Sequence, residues 1–177
     1  MAADAKGESW AVLAASEMGK GVWLKQRLDA MQPARLLIWD TNDEYDRQAR
    51  AVGTFRELVR GIAAPSFRLR FTSQAKKDKD LREDFETFCL IAYAAAGAVI
   101  VVEELADVTT PGWAPPAWRK LNTRGRHHQG LQLYWCSQSP AFIDKASLGN
   151  ATHMHVGYLG EPRHRQAAAA HMGCRAE

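Results

Sequence analysis

Short apolar runs alternate along this chain with longer segments whose apolar residues recur at helical spacing. Residues 10–15, 35–40, 67–72, 98–103, 131–137 and 153–159 are short and rich in Val, Ile, Leu, Phe or Trp, and read as strands. Between them the pattern predicts helices over 20–31, 47–62, 79–96, 141–148 and 162–172. In the third of these, Leu81, Phe85, Phe88, Leu90, Ile91 and Ala95 fall mostly on one side, with Lys79, Asp80, Arg82, Glu83 and Glu86 left for water. The alternation predicts an α/β fold around a mostly parallel sheet. Residues 98–102 are apolar throughout, as in a central strand covered on both faces. Phe67–Thr72 instead interleaves arginines with Phe and Leu, as a strand nearer an edge does. Residues 109–118 carry three of the seven prolines, and 73–80 are polar with mixed charge; both read as loops.

Composition narrows the class. The chain has 177 residues, 46% hydrophobic and 24% charged, enough to bury a core and too apolar for disorder. A single domain is expected over 1–177, with a core at about 10–160 and a C-terminal helix at about 161–173. The apolar stretch 91–102 is too short for a membrane span and is interrupted by Tyr93 and Gly97. The first ten residues lack a basic start followed by an apolar stretch, so no secretory signal is expected. Cys89, Cys136 and Cys174 are an odd number at wide spacing, which fits neither a disulfide framework nor a metal clip and suggests a reducing compartment. A net charge of +3 permits a nucleic-acid partner without requiring one.

Four segments can carry chemistry. The first strand runs into Ala14-Ala15-Ser16-Glu17-Met18-Gly19-Lys20-Gly21, and a helix follows. A strand, a tight turn and a helix start gather free backbone N–H groups around one point, and a lysine there reaches phosphates; this is the logic of GxxxxGK[ST]. Two positions depart from that pattern: Ala14 replaces the first glycine, and Gly21 the hydroxyl residue that binds Mg²⁺. Second, the apolar strand ends at Glu103-Glu104, placing paired carboxylates at the ligand edge of a parallel sheet. Glu103 is assigned to the metal, through its water shell, and Glu104 to the attacking water. Third, the strand at 131–137 ends beside Gln138, whose amide can contact a γ-phosphate or water. Fourth, residues 119–128 hold Arg119, Lys120, Arg124 and Arg126 and no acid; an arginine here can reach a neighbour's nucleotide, touch DNA, or simply be solvated.

In this order, the four segments resemble the FtsK/HerA superfamily of P-loop motor ATPases, which includes the genome-packaging ATPases of tailless viruses with an internal membrane. Residues 36–45, ending Asp40-Thr41-Asn42-Asp43-Glu44-Tyr45, are similar to the family's second strand and its hhhhDxxxEY end. The resemblance implies a three-layer RecA-like (ASCE) core and a hexameric ring that pumps double-stranded DNA, using ATP and Mg²⁺. It implies phosphate binding by Ser16, Glu17, Met18, Gly19, Lys20, Gly21 and Val22, and metal and water roles for Glu103 and Glu104. It further implies Gln138 as sensor and Arg124 or Arg126, with Arg126 preferred, as an arginine finger acting in trans. The acidic-pair strand is expected next to the phosphate-loop strand. The implied function is packaging of a viral genome, in the host cytoplasm or at a packaging vertex, with a capsid or portal protein as a further partner. Two other functions stay open: a zonula occludens toxin-like assembly ATPase of filamentous phages, and a nucleotide-binding structural subunit with little turnover, suggested by Ala14 and Gly21.

Other features point elsewhere. His153 and His155 share one side of a strand and could face a metal, but no further ligand stands at suitable spacing. Trp10, Trp39 and Trp135 are expected in the core, whereas Trp113 and Trp118 in the proline-rich stretch could stack on DNA or meet a neighbouring subunit. Arg163, His164, Arg165 and Arg175 can form a basic surface.

Overall fold

Strand β1 (Ser9–Leu13) leads through a loop into helix α1 (Lys20–Met31), and β2 (Arg35–Trp39), β3 (Arg50–Val52), α2 (Phe55–Ile62), β4 (Phe67–Phe71) and α3 (Asp78–Ala94) follow. Next come β5 (Val99–Val102), α4 (Pro116–Lys120), a π-helical turn (Leu121–Gly125), α5 (Arg126–His128), β6 (Gln132–Ser137), α6 (Lys145–Asn150), β7 (His153–Val156) and α7 (Pro162–Met172). These elements come from a computed structural model that describes residues 7–173; Cys174 and Arg175 lie outside them.

The strands form one seven-stranded sheet, ordered β3-β4-β2-β5-β6-β1-β7, in which every pairing is parallel. Side chains alternate across it. On one face Leu37, Trp39, Ile100, Val102, Leu133 and Trp135 pack with Phe85, Phe88 and Cys89 of α3. On the other, Leu36, Ile38, Val99, Val101, Tyr134 and Cys136 meet Leu24 and Leu28 of α1. The fold is thus a three-layer α/β sandwich. The fully apolar β5 is its central strand, and β4 lies one place in from the β3 edge.

Three expectations need correction. The acidic-pair strand β5 is not next to β1, because β6 pairs with both and separates them. The reason is visible in β6 itself: Leu133 and Trp135 serve one core and Tyr134 and Cys136 the other, so this strand too belongs in the interior. The helix expected over 47–62 is shorter. Residues 50–52 extend along β4, and Thr54 starts α2 with a capping box in which its side chain accepts from the Glu57 amide and Glu57 answers. Finally, residues 109–118 do not remain a loop throughout. Pro116 suits a first helical turn, and burial of Trp118 and Leu121 draws the chain into α4. Trp118 is fully buried, with Nε1 donating to Ser147 Oγ at 2.8 Å, so it cannot stack on DNA or reach a neighbour. Trp113 stays exposed. Trp39 and Trp135 lie in the core, while Trp10 is half-buried and stacks on His153.

Candidate functional site

Because all strands run parallel, the segments after β1, β2, β5 and β6 leave the sheet at one edge, where they enclose a cleft of about 420 Å³. Gly19 takes a left-handed conformation (φ 82°) that admits glycine readily, and Glu17 is also left-handed. Helix α1 opens with no side-chain cap and no acid in its first turn, and its ladder begins where the Trp23 amide donates to Gly19 O. The amides before Trp23 are therefore left outside the ladder, with the positive end of the helix dipole behind them. Ser16, Glu17, Gly19, Lys20, Gly21 and Val22 line the cleft; Met18 is exposed and does not.

The alanine at position 14 has a physical account. Its φ is not positive, so its backbone does not require glycine. It is buried, its amide donates to Ser137 O at 3.3 Å, and a Cβ at Gly157 would fall 2.9 Å from the Ala14 Cβ. The close approach of the loop to β7's exit is made possible by a glycine at 157 instead.

Glu103 and Glu104 both reach Lys20. In an extended strand adjacent side chains point to opposite faces, but the left-handed backbone of Glu104 (φ 48°) breaks that alternation. Lys20 Nζ lies 2.6 Å from Glu103 Oε1 and 3.8 Å from Glu104 Oε2. The other oxygen of Glu103 accepts from the Tyr45 hydroxyl at 2.5 Å. Glu104 accepts from Ser137 Oγ at 2.9 Å and from the Gln138 amide at 3.1 Å. Gln138 also lines the cleft. The loop after β2 is held by buried Asp40, which accepts from the amides of Glu44 and Tyr45 and from Arg70. Arg70 also pairs with Asp43.

The charges are poised. Burial opposes the Lys20 ammonium, but Cys136, Glu103 and Glu104 outweigh it and hold the group above the ordinary lysine range. Burial raises Glu104 above the ordinary carboxylate range, against the lowering pull of Lys20, Ser137 and Gln138. Burial, with Cys136 and Glu103 nearby, pushes the Tyr45 hydroxyl far up, so it stays a donor. A buried cation among carboxylates, beside helix amides outside the ladder, has the charge and the donors that phosphate binding requires.

The arginines do not join this cluster. Arg124 is exposed on the π-helical turn, and half-buried Arg126 starts α5; a Cβ at Gly7, before β1, would fall 2.6 Å from the Arg126 Cβ. Both precede β6 and sit at the amino edge of the sheet, opposite the cleft. His153 and His155 stack on Trp10 and Trp23, and no metal-binding cluster of His, Cys, Asp and Glu occurs among the described residues. Sequence reasoning gave no role to Asp40, Tyr45, Arg70 or Ser137. The signal for Tyr45 was its place in the hhhhDxxxEY end, whereas nothing local marked Arg70.

No protein-family model matches the chain. Protein P9 of Pseudoalteromonas phage PM2 is 34% identical over 153 residues, which cover 84% of this chain and 67% of that protein. The genome-packaging NTPase B204 of Sulfolobus turreted icosahedral virus 2, in complex with sulfate, superposes with a TM-score of 0.75 at 15% identity, over 94% of this chain and 82% of its own. The same NTPase has been solved with AMPPCP and with ATP-γS. The N-terminal domain of zonular occludens toxin from Neisseria meningitidis gives a TM-score of 0.53 at 15% identity, over 86% of this chain and 77% of its own. These structures share the RecA-like P-loop NTPase fold seen here.

Proposed function

The chain belongs to the family of protein P9 of Pseudoalteromonas phage PM2, and from that footing we propose that it is an ATP-hydrolysing motor that translocates double-stranded DNA in packaging a viral genome. The convergence of Lys20 with Glu103 and Glu104 at an uncapped helix start carries this reading. In it, Lys20 leaves Glu103 for the β- and γ-phosphates of ATP, exchanging one anionic partner for another. Glu104, made more basic by burial, orients a water against the γ-phosphorus and takes its proton. Gln138 contacts the γ-phosphate or that water. The exposed Arg124, better placed to reach outward than Arg126, stabilises the transition state of the next subunit in a ring.

The donor set also suits Mg²⁺, a hard cation that takes oxygen ligands. Asn42, Glu44 and Glu103 bring oxygens to the cleft, and Gly21 leaves space where a side chain would fit. Glu103 would hold the ion through its water shell, and the ion would supply neutralising charge at the phosphates. The other basic residues of the 119–128 stretch supply contacts for DNA phosphates, a capsid or portal protein is a further partner, and the setting is the host cytoplasm or a packaging vertex.

Steady-state phosphate release with Mg²⁺, with and without double-stranded DNA, tests this for the wild type, Lys20→Ala and Glu104→Gln. DNA-stimulated turnover that falls about a hundredfold or more in both variants is expected. Nucleotide binding without turnover would favour the structural-subunit alternative. Turnover indifferent to DNA would favour the assembly-ATPase alternative, to which the toxin-domain fold likeness belongs.

A further inference from the structure

Where the phosphate-loop pattern places a metal-binding hydroxyl, this chain has Gly21, and the structure shows what faces it. Gly21 sits in the first turn of α1 without a positive φ, so its backbone would accept a side chain. A Cβ built on it meets a single atom within 4 Å, Glu44 Oε2 at 3.9 Å. A serine oxygen would lie one bond beyond that Cβ, so the Glu44 carboxylate borders the space such an oxygen would occupy.

The loop that presents Glu44 is fixed at both neighbours. The Glu44 amide donates to Asp40 Oδ1 at 2.9 Å, and Tyr45 is pinned to Glu103. With Lys20 turned to the phosphates, Tyr45 still holds one oxygen of Glu103, and Ser137 and Gln138 still engage Glu104. Among the described residues, the Glu44 carboxylate has only a half-exposed ion pair with Lys25, at 3.5 Å. We propose that Glu44 supplies the protein ligand to the divalent cation of a bound nucleotide, directly or through one water, in place of the hydroxyl missing at position 21. The proposal rests on the nucleotide reading of the cleft and deepens it. A carboxylate differs from a hydroxyl in one consequence: without metal it repels the phosphates, so nucleotide binding depends more on the cation than it would with serine.

Mn²⁺ is the probe, its free concentration followed by electron paramagnetic resonance in the presence of the protein and AMPPCP. Binding of a fluorescent ATP analogue in EDTA is measured alongside. Glu44→Gln should weaken Mn²⁺ binding about tenfold or more while binding in EDTA holds or improves, and adding Gly21→Ser should restore the Mn²⁺ affinity. Unchanged Mn²⁺ affinity in Glu44→Gln would overturn the proposal. So would a loss that Gly21→Ser leaves unrepaired, since Glu44 would then not stand in for the hydroxyl. Failure of the wild type to bind the analogue with or without metal would overturn the nucleotide reading itself, and this inference with it.

Discussion

Glu104 is held under opposing demands. Burial makes its charged form costly, yet only the charged form can take a proton from water. Its folded pKa is raised, so relative to a neutral side chain its contribution to stability is present below the ordinary glutamate range and is lost as pH rises through the folded value. Glu104→Gln should therefore melt at a higher temperature than wild type at pH 7 to 8, and the gain should vanish below about pH 4.5. Thermal melts across that range check the sign; a variant less stable at pH 7 would show that Lys20 and Ser137 outweigh burial. If Glu104 takes the proton in turnover, the same shift should move the acid limb of the pH–rate profile above the ordinary carboxylate range. Lys20, Glu103, Glu104 and Gln138 were legible in the sequence because each ends or begins an element whose apolar pattern fixes its place at the carboxyl edge. Tyr45 as partner of Glu103, 58 residues away, was not, nor was Gly157 as the residue that makes room for Ala14. Such pairings depend on strand order and register, which local pattern does not contain.

Helices α1 and α2 begin in opposite ways, and the difference separates the proposed binding element from a scaffold element. Thr54 and Glu57 close the first turn of α2, whereas Gly19 leaves that of α1 open. Thr54→Ala should lower stability by about 1 kcal/mol and leave nucleotide affinity unchanged. Gly19→Ala meets no atom within 4 Å, so its cost is backbone strain, about 1–2 kcal/mol, and it should act on affinity by turning the loop out of its left-handed bend. Unfolding in denaturant and titration with a fluorescent ATP analogue distinguish the two; equal affinity in Gly19→Ala and wild type would show that the open helix start does not hold phosphate. The sequence revealed α1 because its strand–turn–helix pattern is local. It hid β3, whose three residues are held by pairing with β4, and α4, whose prolines read as a loop until burial of Trp118 and Leu121 is taken into account.

At the scale of the whole molecule, the sheet keeps the proposed chemistry and the basic turn apart. The cleft lies at the carboxyl edge and Arg124 at the amino edge, separated by the length of β6, about 20 Å. No side chain spans that distance, so an arginine from this turn can complete the cleft only of another copy. In the proposed ring, head-to-tail contacts, in which unlike surfaces meet, would bring one subunit's amino edge to the next subunit's cleft. It follows that Lys20→Ala and Arg124→Ala should each be nearly inactive alone and regain part of wild-type turnover when mixed: the Arg124→Ala chain supplies an intact cleft and the Lys20→Ala chain the arginine. A loss in Arg124→Ala of about 10³-fold or more fits a finger acting on the transition state. If Arg124 instead holds DNA phosphates, its removal should spare DNA-free turnover, abolish the stimulation by DNA and flatten its salt dependence, and mixing should restore nothing beyond the sum of the two proteins. The mixing experiment thus decides whether the exposed basic turn belongs to the neighbour's nucleotide or to the polymer being moved.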